Sequence, residues 1–307
     1  MFSIVIPLYN KQHTIGRTLQ SVLQQQYENF EVLIINDGST DSSLEAVATC
    51  SDSRIRIIST ENAGVSAARN IGLKHAQYQW IAFLDADDWW DDSFLRVMAT
   101  LIEQFSEHAI IATSRTHVFQ TYEQRYLHKF LPKKGEVGAL DHFQVISEGL
   151  PSMHTCSTIF NRSLFKTEAP FKIGMEMHED HELWMRLAVS NSVLFLNSPL
   201  AFYNKQNKHS ASSKQLSEKD FHQLVATIKE VNVKISAEQK VTFKKYYRRF
   251  IVFSFLKNKK HYSTIEKSVL EQQVKSLLTP SDMWLLRIPS FIPLSPLYRW
   301  LKRNISS

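Results

Sequence analysis

Three carboxylates fall within four residues at Asp85, Asp87 and Asp88, directly after the apolar run Ile81–Leu84. Like charges this close repel and raise one another's pKa unless a cation sits between them. Hard oxygen ligands beside a substrate phosphate suit Mg2+ or Mn2+. The chemistry this spacing suggests is a divalent-metal site that holds a diphosphate; the plainer alternative is a set of caps for a helix beginning near Asp92 and Ser93. Three other stretches could bind a ligand. Pro7 and Tyr9 end an apolar run, and the tyrosine offers a ring for stacking and a hydroxyl. Asp37 in NDGS could accept an N–H from a base, or simply form an Asp-Gly turn. Arg69 follows Asn62-Ala63-Gly64 and a run of small residues, and its guanidinium could reach a phosphate or base, or a surface carboxylate.

The elements that must position these residues alternate in the first third of the chain. Ser3–Leu8, Glu31–Ile35, Arg54–Ser59 and Trp80–Leu84 read as buried strands. Helical spacing separates them at Thr14–Gln25, Ser42–Cys50 and Gly64–His75. Repeated βα units of this length imply an α/β fold, a doubly wound and mostly parallel sheet with right-handed crossovers. Such sheets bind ligands at the carboxyl ends of their strands. Four polar loops at one such edge are hard to explain as accident. Further on, Ala109–Phe119, Cys156–Phe160 and Val193–Tyr203 read as strands, Asp141–Glu148 and Glu179–Ser190 as helices. After Lys214 the pattern is helical over Phe221–Ile235, Ala237–Leu256 and Thr264–Leu278. The boundary falls where polar residues cluster near Asn207–Ser217. The expected division is residues 1–212, changing pattern between about 1–108 and about 109–212, and 213–307 as a basic helical region.

Bulk properties narrow the class. At 307 residues, 43% of them hydrophobic and 21% charged, the chain can bury a sizeable core. Eight glycines leave little room for a low-complexity linker. Two cysteines, Cys50 and Cys156, are too few for a disulfide framework, so a reducing compartment fits. The opening MFSIVIPLYN shows no signal-peptide pattern. No run approaches the roughly 18–20 apolar residues of a membrane span. The net charge of +6 hides an asymmetry: from Lys205 onward there are 20 Lys/Arg and 7 Asp/Glu, against 16 and 23 before it. That suggests an acidic, metal-binding first part and a basic, surface-seeking tail.

VIPLYN, NDGSTD, ENAGVSAARN and FLDADD stand in the order seen in family 2 glycosyltransferases, and the chain resembles that family over roughly residues 2–92. A looser resemblance covers residues 155–212 through HEDHELWMR and the segment ending His209-Ser210-Ala211-Ser212. It implies the GT-A, or nucleotide-diphospho-sugar transferase, fold over residues 1–212 as the catalytic domain, with about 1–108 binding the nucleotide-sugar and about 109–212 on the acceptor side, and a UDP-sugar donor. Pro7 and Tyr9 would line the uracil pocket; Asp37 would bond the base, with Asn62 and Arg69 beside it. Asp85 and Asp87 would be the outer residues of an Asp-x-Asp motif for Mn2+ or Mg2+, with Asp87 the direct ligand and His209 a further contact. The family pattern puts a general base in the Glu-Asp pair, here Glu179-Asp180, and Asp180 is our assignment. Neighbours on a helix point about 100° apart, so the two carboxylates cannot share one role. Asp180 and Trp184 share a face, which would put an indole beside the sugar or acceptor. The simpler alternative is that Glu179, Asp180 and Glu182 favour a helix N-terminus through its dipole. The family often has Gly where this chain has His178. Met153, His154 and Thr155 are expected near the acceptor pocket.

In the basic tail, Lys240 to Lys260 interleaves charge with aromatics, and MWLLRIPSFIPLSPLYRWLKR from Met283 to Arg303 resembles an interfacial anchor on anionic lipid. The alternatives are packing against the catalytic domain or a seam between two copies. Nucleic acid is the weaker option, because no base-reading motif accompanies the charge. The sequence therefore points to an inverting, metal-dependent glycosyltransferase, cytoplasmic and peripheral on the inner face of the membrane. Its acceptor would be a saccharide or lipid-linked saccharide of surface-polysaccharide assembly. The rivals are a nucleotidyltransferase, disfavoured by the single glycine in Leu8–Gly16, and a non-catalytic nucleotide-sugar-binding scaffold.

Overall fold

A computed structural model describes residues 1–206 and 215–288. In chain order the elements are β1 (Phe2–Leu8), α1 (Ile15–Leu23), β2 (Phe30–Asp37), α2 (Ser43–Ala48), β3 (Ile55–Thr60), α3 (Val65–His75), β4 (Trp80–Phe83) and β5 (Trp89–Trp90). There follow α4 (Phe94–Gln104), β6 (Ile110–Val118), β7 (Glu123–Arg125), β8 (Val137–Leu140), α5 (His142–Glu148), β9 (Thr158–Asn161), α6 (Glu179–Ala188) and β10 (Val193–Asn204). The last are α7 (Glu218–Lys234), α8 (Ala237–Asn258), α9 (Thr264–Val274) and α10 (Pro280–Leu286). Among the described residues the strands form one sheet in the order β3-β2-β1-β4-β9-β6-β10-β5, with β7 on β6 and β8 on β10. β1 lies parallel to β2 and β4, and β2 to β3. Beyond β4 the sheet is mixed, since β9 is antiparallel to both β4 and β6 while β6 and β10 are parallel.

Alternation along β1 explains the layers. Val5 packs with α3 residues on one face, whereas Phe2, Ile4, Ile6 and Leu8 pack with α1 and α4 residues on the other. α1 buries the helical stripe Ile15, Leu19 and Val22. α3 approaches β1 so closely that a Cβ on Gly72 would lie 2.2 Å from a Val5 methyl carbon. Strand order reverses between β1 and β4, the switch point where open α/β sheets bind ligands.

The structure corrects several sequence expectations. Cys156 is not in a strand: residues Thr155–Ser157 form a 3-10 turn that precedes β9. For most aromatics of Lys240–Lys260 the packing alternative holds. Phe243, Tyr246, Tyr247, Phe255 and Leu256 are buried in the core shared with Phe171 and Trp184. Their basic neighbours help to dock α8: Lys245 bonds Glu148 at 2.6 Å, and Arg249 donates to the carbonyls of Ser147 and Ile146 at 2.7 and 3.0 Å. The helix α10 escaped the sequence reading, although Thr279 and Asp282 form a capping box around Pro280. Among the described residues no helix is long and apolar enough to cross a membrane. The expected boundary at 212/213, His209 and the part of the expected anchor beyond residue 288 lie outside the described residues.

Candidate active site

The four loops expected at one sheet edge meet there, and hydrogen bonds stitch them together. After β1, the Asn10 amide donates to the Ser39 hydroxyl at 3.2 Å, the Asn10 side-chain oxygen accepts from the Thr40 amide at 2.8 Å, and the Lys11 amide donates to the Ser43 hydroxyl at 2.7 Å. Asp37, at the end of β2, accepts the amides of Ala63 and Gly64 at 2.8 and 2.9 Å. It thereby fixes the turn that leads into α3, while Asn62 Nδ2 donates to the Asp37 carbonyl at 3.0 Å. Thr14 and Thr18 of the first segment hold the fourth loop by the carbonyls of Ala86 and Asp88, both at 2.8 Å.

The Asp cluster is not a helix cap. No side chain caps the start of α4, and Asp91 accepts the Ser93 amide at 3.0 Å just ahead of it. Each clustered carboxylate has a different partner. Asp87 holds the Lys11 ammonium. Asp85 accepts Arg69 Nη2 at 2.8 Å and the Thr155 hydroxyl at 3.2 Å. Asp88 is fully buried and accepts the Asn204 amide at 2.8 Å. Burial, followed by the charges of Asp87 and Asp85, raises the Asp88 carboxyl well above its ordinary range. Arg17 lies flat over Trp89, 3.5 Å from the ring centroid, and adds positive charge near Asp87 and Asp88.

Arg69 is the hinge of the arrangement. Only 2% exposed, it gives Nη2 to Asp85 and Nη1 to Glu179 at 2.6 Å. Its two ends are thus engaged by carboxylates, one beside the Asp-x-Asp loop and one on α6. Burial works against the guanidinium's charge, but Asp85 and Glu179 more than offset it and raise its pKa. The adjacent carboxylates of α6 are pushed apart. Burial lifts Glu179 to about 7 despite Arg69. Asp180 also feels burial, yet His181, Arg69 and His178 together hold it below its ordinary value. Asp180 is therefore the more readily ionised of the two carboxyls.

His178, which precedes the pair, has φ 62° and ψ 22°, the left-handed conformation a glycine adopts without strain. The backbone shape is kept without the glycine, and the ring packs edge-on against Phe250 of α8 at 5.6 Å. Trp184 corrects another expectation. It is fully buried, stacked on Phe160 at 4.4 Å and edge-on to Phe171, so it anchors α6 in the core and does not line the cleft. Tyr9 is 47% exposed at the rim. Met153 is fully buried, whereas Thr155 reaches Asp85. Sequence reasoning missed Lys11, which carries no motif of its own; only its place after Tyr9-Asn10 in the first loop could have pointed to it.

The sequence profile described as Glycosyl transferase family 2 matches residues 3–168. The chain is 29% identical over 204 residues to the Escherichia coli UDP-Glc:alpha-D-GlcNAc-diphosphoundecaprenol beta-1,3-glucosyltransferase WfgD, covering 64% of this chain and 73% of that protein. It is also 29% identical over 239 residues to glycosyltransferase GlyA of Streptococcus pneumoniae, covering 74% of this chain but 34% of that longer protein. Among solved structures, Staphylococcus aureus TarS 1–349 in complex with UDP-GlcNAc superposes with a TM-score of 0.73 at 19% identity, covering 99% of this chain and 89% of that one. At that identity the likeness speaks for the fold.

Proposed function

The chain belongs to glycosyl transferase family 2 and has the GT-A fold, and from that premise we propose an inverting transfer of one sugar from a UDP-sugar to a saccharide or lipid-linked saccharide in bacterial surface-polysaccharide assembly. One observation carries this reading. Arg69 bonds Asp85 with one nitrogen and Glu179 with the other, so the Asp-x-Asp loop and the turn bearing Asp180 share one rim. The names of WfgD and of the TarS complex, with their UDP-linked sugars, support the donor class.

Pro7 and Tyr9 would flank the uracil, and Asp37 has lone pairs left for a base N–H. Asn62, bonded to the Asp37 carbonyl, and Arg69 would stand beside it. Asp180 would take the proton from the acceptor hydroxyl. The acceptor oxygen would then bond to the anomeric carbon on the face opposite the diphosphate as the bond to the leaving phosphate oxygen breaks. A single displacement of this kind inverts the centre. The residues fit a hard divalent cation: the donors are carboxylate oxygens, and Asp87 already holds a cationic partner in Lys11. Asp87 would hold Mn2+ or Mg2+ with Asp85 beside it, and such an ion supplies charge neutralisation for a departing diphosphate. Trp284, 67% exposed on α10, would give the basic C-terminal region an aromatic contact with anionic lipid.

The test is transfer and nucleotide binding measured on the same preparations with a panel of UDP-sugars. Asp180→Asn should bind UDP as the unaltered protein does and lose roughly 10²- to 10⁴-fold in transfer. Transfer at the unaltered rate would remove Asp180 as the base, and absence of donor hydrolysis or transfer by the unaltered chain would favour a nucleotide-sugar-binding scaffold.

A further inference from the structure

Behind the Asp-x-Asp loop lie three side chains that the transfer reaction does not use. One carboxylate oxygen of Asp88, an imidazole nitrogen of His154 and the sulfur of Cys156 all lie within 4.8 Å of one another. Asp88 and Cys156 are fully buried, and His154 is partly exposed. Asp88 Oδ1 is occupied by the Asn204 amide, but Oδ2 has no N–H or O–H partner. The Cys156 thiol stands beside this carboxylate. His154 Nδ1 lies 3.1 Å from that sulfur and accepts the Cys156 amide at 3.3 Å. A nitrogen that accepts an N–H carries a lone pair and no proton; an ion bound there takes that one lone pair from the Cys156 amide, so this hydrogen bond breaks as the metal bond forms.

We propose that Asp88, His154 and Cys156 form a second metal site, specific for a thiophilic divalent cation, with Zn2+ the best fit. A thiolate and an imidazole select against Mg2+ and Mn2+ and suit tetrahedral Zn2+. Zn–S near 2.3 Å and Zn–N near 2.0 Å put those two ligand atoms about 3.5 Å apart, so the observed 3.1 Å needs only a small opening. Charge also balances: a dication, a thiolate and a carboxylate sum to zero, and a neutral cluster is tolerable when buried. On binding, the thiol proton leaves to solvent. The ligands are held in place beforehand. Trp90 Nε1 donates to the Cys156 carbonyl at 2.6 Å, the His154 amide donates to the Thr158 hydroxyl at 3.1 Å, and the His154 ring packs on Tyr203 at 4.3 Å. The fourth position is left to water. Such an ion would clasp the loop after β4 to the turn before β9, while Asn204 at the end of β10 holds the other oxygen of Asp88. It would thus fix the loop that carries Asp85 and Asp87.

This inference goes beyond the transfer reaction, and its test does not need that reaction. The reduced, chelator-treated full chain is titrated with Co2+ alone, and thiolate-to-cobalt charge-transfer absorption is read. The expected result is saturation at about one equivalent, with the band lost on adding Zn2+. Cys156→Ser should abolish the band, Asp88→Asn should weaken binding at least tenfold, and Cys50→Ser and Asp87→Ala should leave it unchanged. Circular dichroism reports folding of each variant, and the unaltered chain decides the matter if Cys156→Ser fails to fold. No thiolate band in the unaltered chain would mean a hydrogen-bonded turn only and would overturn the proposal. So would a band that persists in Cys156→Ser.

Discussion

Replacing Glu179 by glutamine should stabilise the protein at alkaline pH, although it removes one charge from a buried ion pair. The Glu179 side chain is 13% exposed, and burial lifts its carboxyl from the ordinary 4.5 to about 7 even with Arg69 at 2.6 Å. Desolvation thus outweighs the Coulombic return, a common outcome for buried pairs. The sign follows from proton binding. Below pH 4.5 the carboxyl is protonated in both folded and unfolded chains and contributes no difference. As pH rises toward 7 the unfolded chain releases the proton first, so stability is lost. The gap between 4.5 and about 7 is worth about 3 kcal/mol at 1.36 kcal/mol per pH unit. Glutamine keeps an oxygen for Arg69 Nη1 but does not titrate, and Asp85 still neutralises the guanidinium. Urea unfolding followed by circular dichroism at about pH 4.5, 6, 7 and 8 measures the difference. Glu179→Gln and the unaltered chain should be nearly equal at the acid end, and the variant should gain up to about 3 kcal/mol by the alkaline end. Curves that stay parallel across this range would refute the reasoning, as would an advantage of the unaltered chain that grows with pH.

Asp87→Ala should reduce UDP affinity in Mn2+ by roughly tenfold or more, to the level seen with chelator; equal affinity of the unaltered chain with and without chelator would take the metal out of the proposed site. Gly72→Ala should cost about 1–3 kcal/mol in denaturant unfolding, because its Cβ would meet Val5 at 2.2 Å. An unchanged midpoint would deny the close contact of α3 with β1. Trp284→Ser, at a site 67% exposed, should leave the unfolding midpoint within about 0.5 kcal/mol while lowering sedimentation with anionic vesicles. Equal sedimentation would take α10 out of membrane binding.

What the sequence could and could not say divides along the range of the forces involved. The strands and helices of the first hundred residues were legible because burial on both faces of β1 and β2, and on one stripe of α1, leaves a period in the residues themselves. β5, β7 and β8 were not legible, because two to four residues carry no period. β5 and β8 pair with β10, which lies far away in the chain, and β7 turns back on the neighbouring β6.

The sequence alone established the family, the parallel half of the sheet and the loops that bring chemistry to its edge. Tertiary structure decided which charge each loop residue meets. Nothing near Arg69 in the chain announces Glu179, 110 positions away, and nothing near Asp87 announces Lys11, 76 positions earlier. It also turned Trp184 into the core and folded the aromatics of α8 onto α5. A helix of given composition can offer its apolar residues to lipid, to a ligand or to a neighbouring element. Which of these it does depends on the surface the rest of the chain presents to it, and that surface exists only once the sheet has formed.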